Sequence, residues 1–231
     1  MTPDSFVENT PVSPEILLGR DLNDTERKYS PKVLYVSGST KYLGLGPRVS
    51  IVGTRNPTAE GRITAQNLAA SLAKEGVVVI SGLARGIDTA AHMGAISAGG
   101  GTIAVLGTPL DCFYPPENKD LQIKIKNEHI LVSQFPQNQP VQRRNFVIRN
   151  RTMALLCDAS IIVQAGDSSG TLSQGWEALR LGRPLFIWEP VFDMKGLDWP
   201  SKMVKFGAKR FTDISVVLDE LPTKTLSLEI I

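Results

Sequence analysis

The sequence has 231 residues, 42% of them hydrophobic and 21% charged, with a formal net charge of +2. This length suits one α/β domain with a sizeable core, and the nearly balanced charge excludes a uniformly basic surface, so a polyanion would have to meet a local cluster of cations. Cys112 and Cys157 stand alone without CxxC spacing, and neither a secretory leader nor an apolar run of about 18 residues is found. We therefore expect a soluble, cytoplasmic protein without a membrane span.

Residues 1–30 are polar and interrupted by prolines, and we expect a partly ordered lead-in to a single domain over residues 31–231. After this segment, short apolar or β-branched runs alternate with helical patterns. Buried strands are predicted for KVLYVS, RVSIVG, GVVVIS, TIAVLG, HILVS, SIIVQA and PLFIWE. Helices are predicted for residues 58–75, 86–98, 117–128, 145–157 and 171–181.

Nearly continuous apolar strands that alternate with single helices indicate parallel βαβ units. The predicted fold is therefore α/β, an extended Rossmann-like open sheet that is mostly parallel and has helices on both faces. The final segments, SKMVKFGAKRF and DISVVLDEL, are expected to add one short strand and two helices that close an edge.

Four of the predicted strands run into glycine-bearing turns, at residues 53–56, 81–86, 107–109 and 166–171. Ligands of such sheets bind outside the carboxyl ends of the strands, where glycine permits close backbone approach and helix N-termini favour anions. One such loop is an ordinary turn, but several together predict a phosphate cradle. Its candidate residues are Gly53, Thr54, Arg55, Gly82, Arg85, Gly86, Ser168, Ser169, Gly170 and Thr171.

The segment RRNFVIRNR adds a basic cluster without an acidic residue, formed by Arg143, Arg144, Asn145, Phe146, Arg149 and Arg151. It is either a solvated basic face or a site for an anion, and Phe146 is either a base-stacking side chain or a core residue. On a helix, residues two apart point about 200° away from each other. Arg149 and Arg151 therefore cannot line one groove, and we expect one to bind ligand and the other to hold the cradle.

Enzymatic motifs are weak in this sequence. No strand is followed by G-x-G-x-x-G or by a P-loop, so neither dinucleotide binding nor ATP hydrolysis is supported. Asp88 and His92 lie four apart on one helix face but lack a third metal ligand, so a satisfied core or helix-face pair is expected, and Asp88 could also pair with Arg85. The hydroxyls of residues 168–171 have no nearby histidine to activate them, so they are interpreted as phosphate ligands. We expect no catalytic residue, no metal and no cofactor.

Several segments, in this order and spacing, resemble the DNA-processing protein A (DprA/Smf) family. They are SIVGTRNPTAEG, the block from VVVISGLARGID to FYPPEN, SQFP, NFVIRNR, and SSGTL followed by ALRLGRPLFI. The resemblance covers about residues 30–215, the Rossmann core, and we expect no counterpart of the sterile-alpha-motif-like and winged-helix domains that many members carry. It implies a homodimer that binds single-stranded DNA and helps deliver it to a RecA-type recombinase in natural transformation. It also favours a DNA contact for Phe146 and a phosphate contact for Arg55.

A second interpretation stays open. The Ser-Gly-Thr loop also resembles a wider Rossmann superfamily of nucleotide-binding sensors and phosphoribohydrolases, in which the hydrolases carry a G-G-x-G-T-x-x-E pattern. Here Gln174 stands where that pattern has its glutamate, which argues against hydrolysis but leaves nucleotide sensing possible.

Overall fold

A computed structural model of the chain describes residues 5–167 and 169–222. Its strands are β1 (Phe6–Val12), β2 (Leu34–Ser39), β3 (Arg48–Gly53), β4 (Val78–Ser81), β5 (Thr102–Leu106), β6 (Ile130–Ser133), β7 (Ala159–Gln164), β8 (Leu185–Trp188) and β9 (Lys209–Phe211). Its α-helices are α1 (Pro14–Leu18), α2 (Asp24–Tyr29), α3 (Ala59–Lys74), α4 (Ile87–Ser97), α5 (Lys119–Glu128), α6 (Arg143–Leu156), α7 (Thr171–Arg180), α8 (Trp199–Lys205) and α9 (Ser215–Leu218).

The strands form one sheet in the order β1-β2-β6-β5-β4-β3-β7-β8-β9. From β6 to β9 all neighbouring strands are parallel. The central strands β3, β4 and β5 are buried throughout, because helices cover both faces of a parallel sheet. The predicted mostly parallel α/β sheet is thus confirmed, as are all seven predicted strands and five predicted helices.

Two apolar layers hold the helices against the sheet. Helices α1, α6 and α8 contribute to one layer through side chains such as Leu17, Leu156 and Met203. Helices α3, α4 and α9 contribute to the other. Small side chains let α3 and α4 approach closely, and a Cβ on Gly94 would lie 2.2 Å from the carbonyl oxygen of Gln66. Helices therefore lie on both faces, as predicted.

The N-terminal segment has more structure than its sequence indicates. No strand was predicted before residue 32, yet β1 pairs antiparallel with β2, which pairs antiparallel with β6. β1 is a half-exposed edge strand with an irregular register between Val7 and Thr10, so it lacks a continuous apolar run. The division of the chain at residue 30 stays a prediction.

A buried carboxylate, that of Glu26, anchors this segment to the rest of the fold. Glu26 accepts hydrogen bonds from both Nη atoms of Arg20, at 2.8 and 2.7 Å, and from Nη2 of Arg183 at 2.6 Å. The Arg20 hydrogen bonds are the main reason that the pKa of Glu26 lies below its ordinary value. Glu26 also closes a capping box with Asn23 at the start of α2. The segment is therefore joined to the loop that precedes β8.

The C-terminal part adds β9 beside β8, flanked by α8 and α9, which confirms the predicted short strand and two helices. The chain progresses from β3 through β4 and β5 to β6 in one direction, and from β7 through β8 to β9 in the other. The topological switch point therefore lies between β3 and β7, where ligands of open α/β sheets bind.

No helix in residues 5–167 and 169–222 combines the length and the apolar character that a membrane crossing needs.

Candidate nucleic-acid interface

A cavity of about 650 Å³ opens at the switch point, and we call it the main cleft. It is lined by residues 53–55 after β3, by Gly166 and residues 169–171 after β7, and by one side of α6. Thr171 Oγ1 donates a hydrogen bond to the Gly53 carbonyl at 2.8 Å, and Thr54 N donates to Gln164 O at 2.7 Å. The two loops are therefore fixed to each other before any ligand binds.

Backbone groups of the β7–α7 loop are accessible. Cβ atoms built on Gly166 and Gly170 would meet open space, so a ligand can approach the main chain there. Ser169 Oγ accepts a hydrogen bond from Thr171 N at 3.2 Å, so this hydroxyl orders the start of α7. Ser168, also predicted as a phosphate ligand, lies outside the described residues.

Two exposed arginines, Arg55 and Arg143, line the main cleft. The Arg55 guanidinium lies over the Phe146 ring, 5.6 Å from its centroid, within the range of a cation–π contact. Cations, an aromatic ring and accessible main chain thus converge on one opening.

Phe146 rests on bare backbone. A Cβ on Gly107 would lie 2.6 Å from Phe146 Cδ1, so the ring occupies the space that any other residue would fill. Tyr114 is its aromatic neighbour, with ring centroids 5.1 Å apart and planes tilted by 42°. Tyr114 was no predicted site residue, and only its position in the YPPEN block could have pointed to it.

Arg149 supports the cleft from within. It is buried, and its Nη1 donates to the carbonyl oxygens of Gly82 at 2.5 Å and Val105 at 2.8 Å. A Cβ on Gly82 would lie 1.9 Å from that nitrogen, so any other residue there would displace the guanidinium. Burial lowers the pKa of Arg149, and nearby Asp88 opposes that shift. Arg149 therefore joins the ends of β4 and β5 to α6.

Arg151 lies on another side of α6, as the predicted helical spacing requires. Its Nε donates to Glu177 Oε1 at 2.9 Å, and its guanidinium lies 5.7 Å from the Tyr29 ring centroid. Among the residues that the structure describes, neither Arg151 nor the exposed Arg144 lines the main cleft. Asn145 is buried at the start of α6, where its N–H donates to Gln142 O at 3.0 Å. DNA contacts by these three residues stay predictions.

The suggested pairing of Arg85 with Asp88 is wrong. Arg85 is exposed, and its Nε lies 3.4 Å from Glu117 Oε1. Asp88 instead turns into the interior, where Oδ2 accepts from Ala84 N at 3.3 Å and burial raises its pKa. The chain enters α4 at Gly86, whose φ of 81° favours glycine.

His92 is a core residue, as expected. Its Nδ1 lies 2.7 Å from Thr102 Oγ1, and burial lowers its pKa to about 3. Within the described ranges, no three His, Cys, Asp or Glu side chains are grouped to hold a metal.

Gln174 lies at the floor of the main cleft, where the hydrolase pattern has its glutamate. Its Nε2 donates to Ser50 Oγ at 3.0 Å and Ser160 Oγ at 3.2 Å. The amide thus belongs to a buried hydrogen-bond network below the loops, and it does not titrate as a general base would.

The geometry defines a class of protein, an α/β domain with a preformed cleft at its switch point that arginine and aromatic side chains line. Residues 19–222 match the family model described as DNA recombination-mediator protein A. DNA processing protein DprA of Bacillus subtilis is 36% identical over 197 residues, and that of Streptococcus pneumoniae is 40% identical over 193. The chain belongs to the DNA recombination-mediator protein A family, which confirms the resemblance.

Solved structures of two DprA proteins support the same family assignment. The X-ray structure of DprA from Streptococcus pneumoniae superposes with a TM-score of 0.79 at 33% identity, covering 94% of this chain and 76% of that one. The structure of DprA from Helicobacter pylori, described by its single-stranded DNA binding mode, gives 0.75 at 30% identity and covers 94% and 97%. The matched regions are 85% and 83% of this chain, and 66% and 67% of the two curated relatives.

Proposed function

We propose that this chain binds single-stranded DNA in the main cleft, without catalysis, in the cytoplasm. The observation that carries the proposal is the convergence of Arg55, Arg143 and Phe146 on one opening that also includes the accessible backbone of Gly166 and Gly170. Arginine and helix N-termini bind phosphates independently of sequence, and aromatic faces stack on any base. The Helicobacter pylori relative, whose structure is described by its single-stranded DNA binding, supports the same ligand.

A titration with labelled oligo-dT at two salt concentrations tests this proposal. We expect affinity that grows with oligonucleotide length and falls with salt, with a logarithmic slope of about −0.7 for each phosphate neutralised. Arg55→Ala and Arg143→Ala reduce that slope by about one each, whereas Phe146→Ala weakens binding with little change in slope. Arg62→Ala is the matched control, because Arg62 is an exposed arginine on α3 that lines neither cavity described here.

The alternative function is a sensor of small nucleotides. The volume of the main cleft favours it as a second candidate, because sites for small molecules measure about 300–1,000 Å³. Mononucleotides included in the same titration separate the two. Saturable mononucleotide binding with little affinity for oligo-dT would replace the DNA-binding proposal.

The proposal extends to a homodimer that delivers DNA to a RecA-type recombinase. Trp176 and Phe206 form an exposed T-shaped pair in the C-terminal half, with centroids 5.3 Å apart and relative exposures of 38% and 71%. Exposed aromatic pairs of this kind suit a subunit contact. Sedimentation of the wild-type chain as a monomer at micromolar concentration would count against the dimer. Unchanged assembly of a RecA-type recombinase on DNA in its presence would count against delivery.

A further inference from the structure

A second, smaller cavity of about 200 Å³ lies beside the main cleft, and we call it the side pocket. Gly82, Arg85, Gly107 and residues 114–117 contribute to its walls. Five residues line both cavities and so form the partition between them: Arg55, Ala84, Tyr114, Phe146 and Arg149. A ligand that fills both cavities therefore passes over this partition.

The two cavities differ in what they can hold. The main cleft is large enough for a nucleotide. The side pocket is smaller than typical small-molecule sites, whose volumes are about 300 Å³ or more. Its walls combine the rings of Tyr114 and Phe146 with two prolines, and Arg85 and Glu117 are paired among the residues that line it. This mixture suits one flat heterocycle whose attached phosphate stays near the arginines.

The aromatic surface open to such a ring belongs to Tyr114 more than to Phe146. Phe146 is half-buried, with the Arg55 guanidinium over its ring, the Gly107 backbone against it and Tyr114 beside it. Tyr114 keeps 41% of its surface exposed. Phe146 thus supports the Tyr114 ring from one side and leaves the other side to solvent.

We propose that the side pocket is a second nucleotide subsite, in which Tyr114 stacks on the base that neighbours the nucleotide held in the main cleft. This inference rests on the proposed function, since it requires a DNA strand in the main cleft. Arg55 then lies between the two positions, where the phosphate that links the two nucleotides would pass.

Two labelled oligonucleotides of equal length test the subsite, oligo-dT and a strand of abasic residues that has the same phosphates without bases. Tyr114→Ala and Tyr114→Leu are titrated against both, the leucine variant retaining an apolar side chain of substantial size. Phe113→Ala is the matched control, because Phe113 is equally exposed at 41% but packs under Lys119 and lines neither cavity described here.

We expect both Tyr114 variants to bind oligo-dT about 5- to 150-fold more weakly, the loss that follows from one base stack, with an unchanged salt slope. On the abasic strand they bind as the wild type does, and Phe113→Ala behaves as wild type on both. Equal losses on the two strands, or none on oligo-dT, would overturn the subsite while wild-type binding still upholds the proposed function. Absence of oligo-dT binding by the wild type overturns both.

Discussion

Replacement of Arg149 by methionine tests whether this arginine is a scaffold residue. The change leaves the carbonyl oxygens of Gly82 and Val105 buried without their donor and removes a positive charge that lowers the pKa of buried Asp88. Each of the two buried carbonyl oxygens that is left without its donor costs about 1–3 kcal/mol. Because these losses share one side chain, we expect the free energy of unfolding to fall by about 3–5 kcal/mol in total.

Urea unfolding followed by circular dichroism measures this loss. With a denaturant slope of about 2–3 kcal/mol/M, the midpoint of Arg149→Met falls by roughly 1–2.5 M. Arg151→Met is the matched control, since it breaks a partly exposed ion pair with Glu177 worth less than about 1 kcal/mol. An unchanged midpoint for Arg149→Met, combined with a reduced salt slope for DNA binding, would refute the scaffold role and identify Arg149 as a phosphate ligand.

Three further predictions follow from single contacts. Gly107→Ala displaces the Phe146 ring, so DNA affinity falls by about 1–3 kcal/mol in titrations while the salt slope stays constant; an unchanged affinity would contradict this. Glu117→Gln releases Arg85, so affinity rises and the salt slope steepens by about one, with unfolding unchanged within about 1 kcal/mol; a weaker complex would contradict it. In the folded protein burial lowers the pKa of His92 to about 3, so this side chain stays neutral at higher pH. In the unfolded chain it takes up a proton below its ordinary pKa of 6.5, so acidification destabilises the fold. Between pH 7 and 5 the free energy of unfolding falls by about 2 kcal/mol from this residue, and His92→Gln, followed in the same urea titrations, lacks that part of the decline. An equal decline in both proteins would contradict the assignment.

Most of the parallel sheet could be predicted because its strands are buried on both faces and their sequences are therefore almost continuously apolar. RVSIVG and TIAVLG are of this kind. The edge strand β1 could not, because one side of it faces solvent and its polar residues follow no strict alternation. Its pairing with β2 depends on residues 22 to 33 positions away along the chain.

In the candidate site, the sequence allowed predictions where the geometry of a single helix determines which way a side chain points. The angular separation of Arg149 and Arg151 on a helix indicated different roles, and the structure gives them different partners. Contacts that depend on distant segments escaped prediction. Tyr114 contacts Phe146, 32 residues further along the chain, because Gly107 lacks a side chain that would separate them. Arg85 pairs with Glu117, which is also distant in the sequence.

The buried Glu26 has a practical consequence for anyone who trims this chain. Removing residues 1–30 deletes β1 and also the carboxylate that accepts a hydrogen bond from Arg183. It exposes the open hydrogen-bonding edge of β2, which another copy could extend by strand pairing. We expect such a shortened protein to aggregate rather than to persist as a smaller DNA-binding domain. The polar N-terminal segment thus protects the edge of the sheet from pairing with another chain.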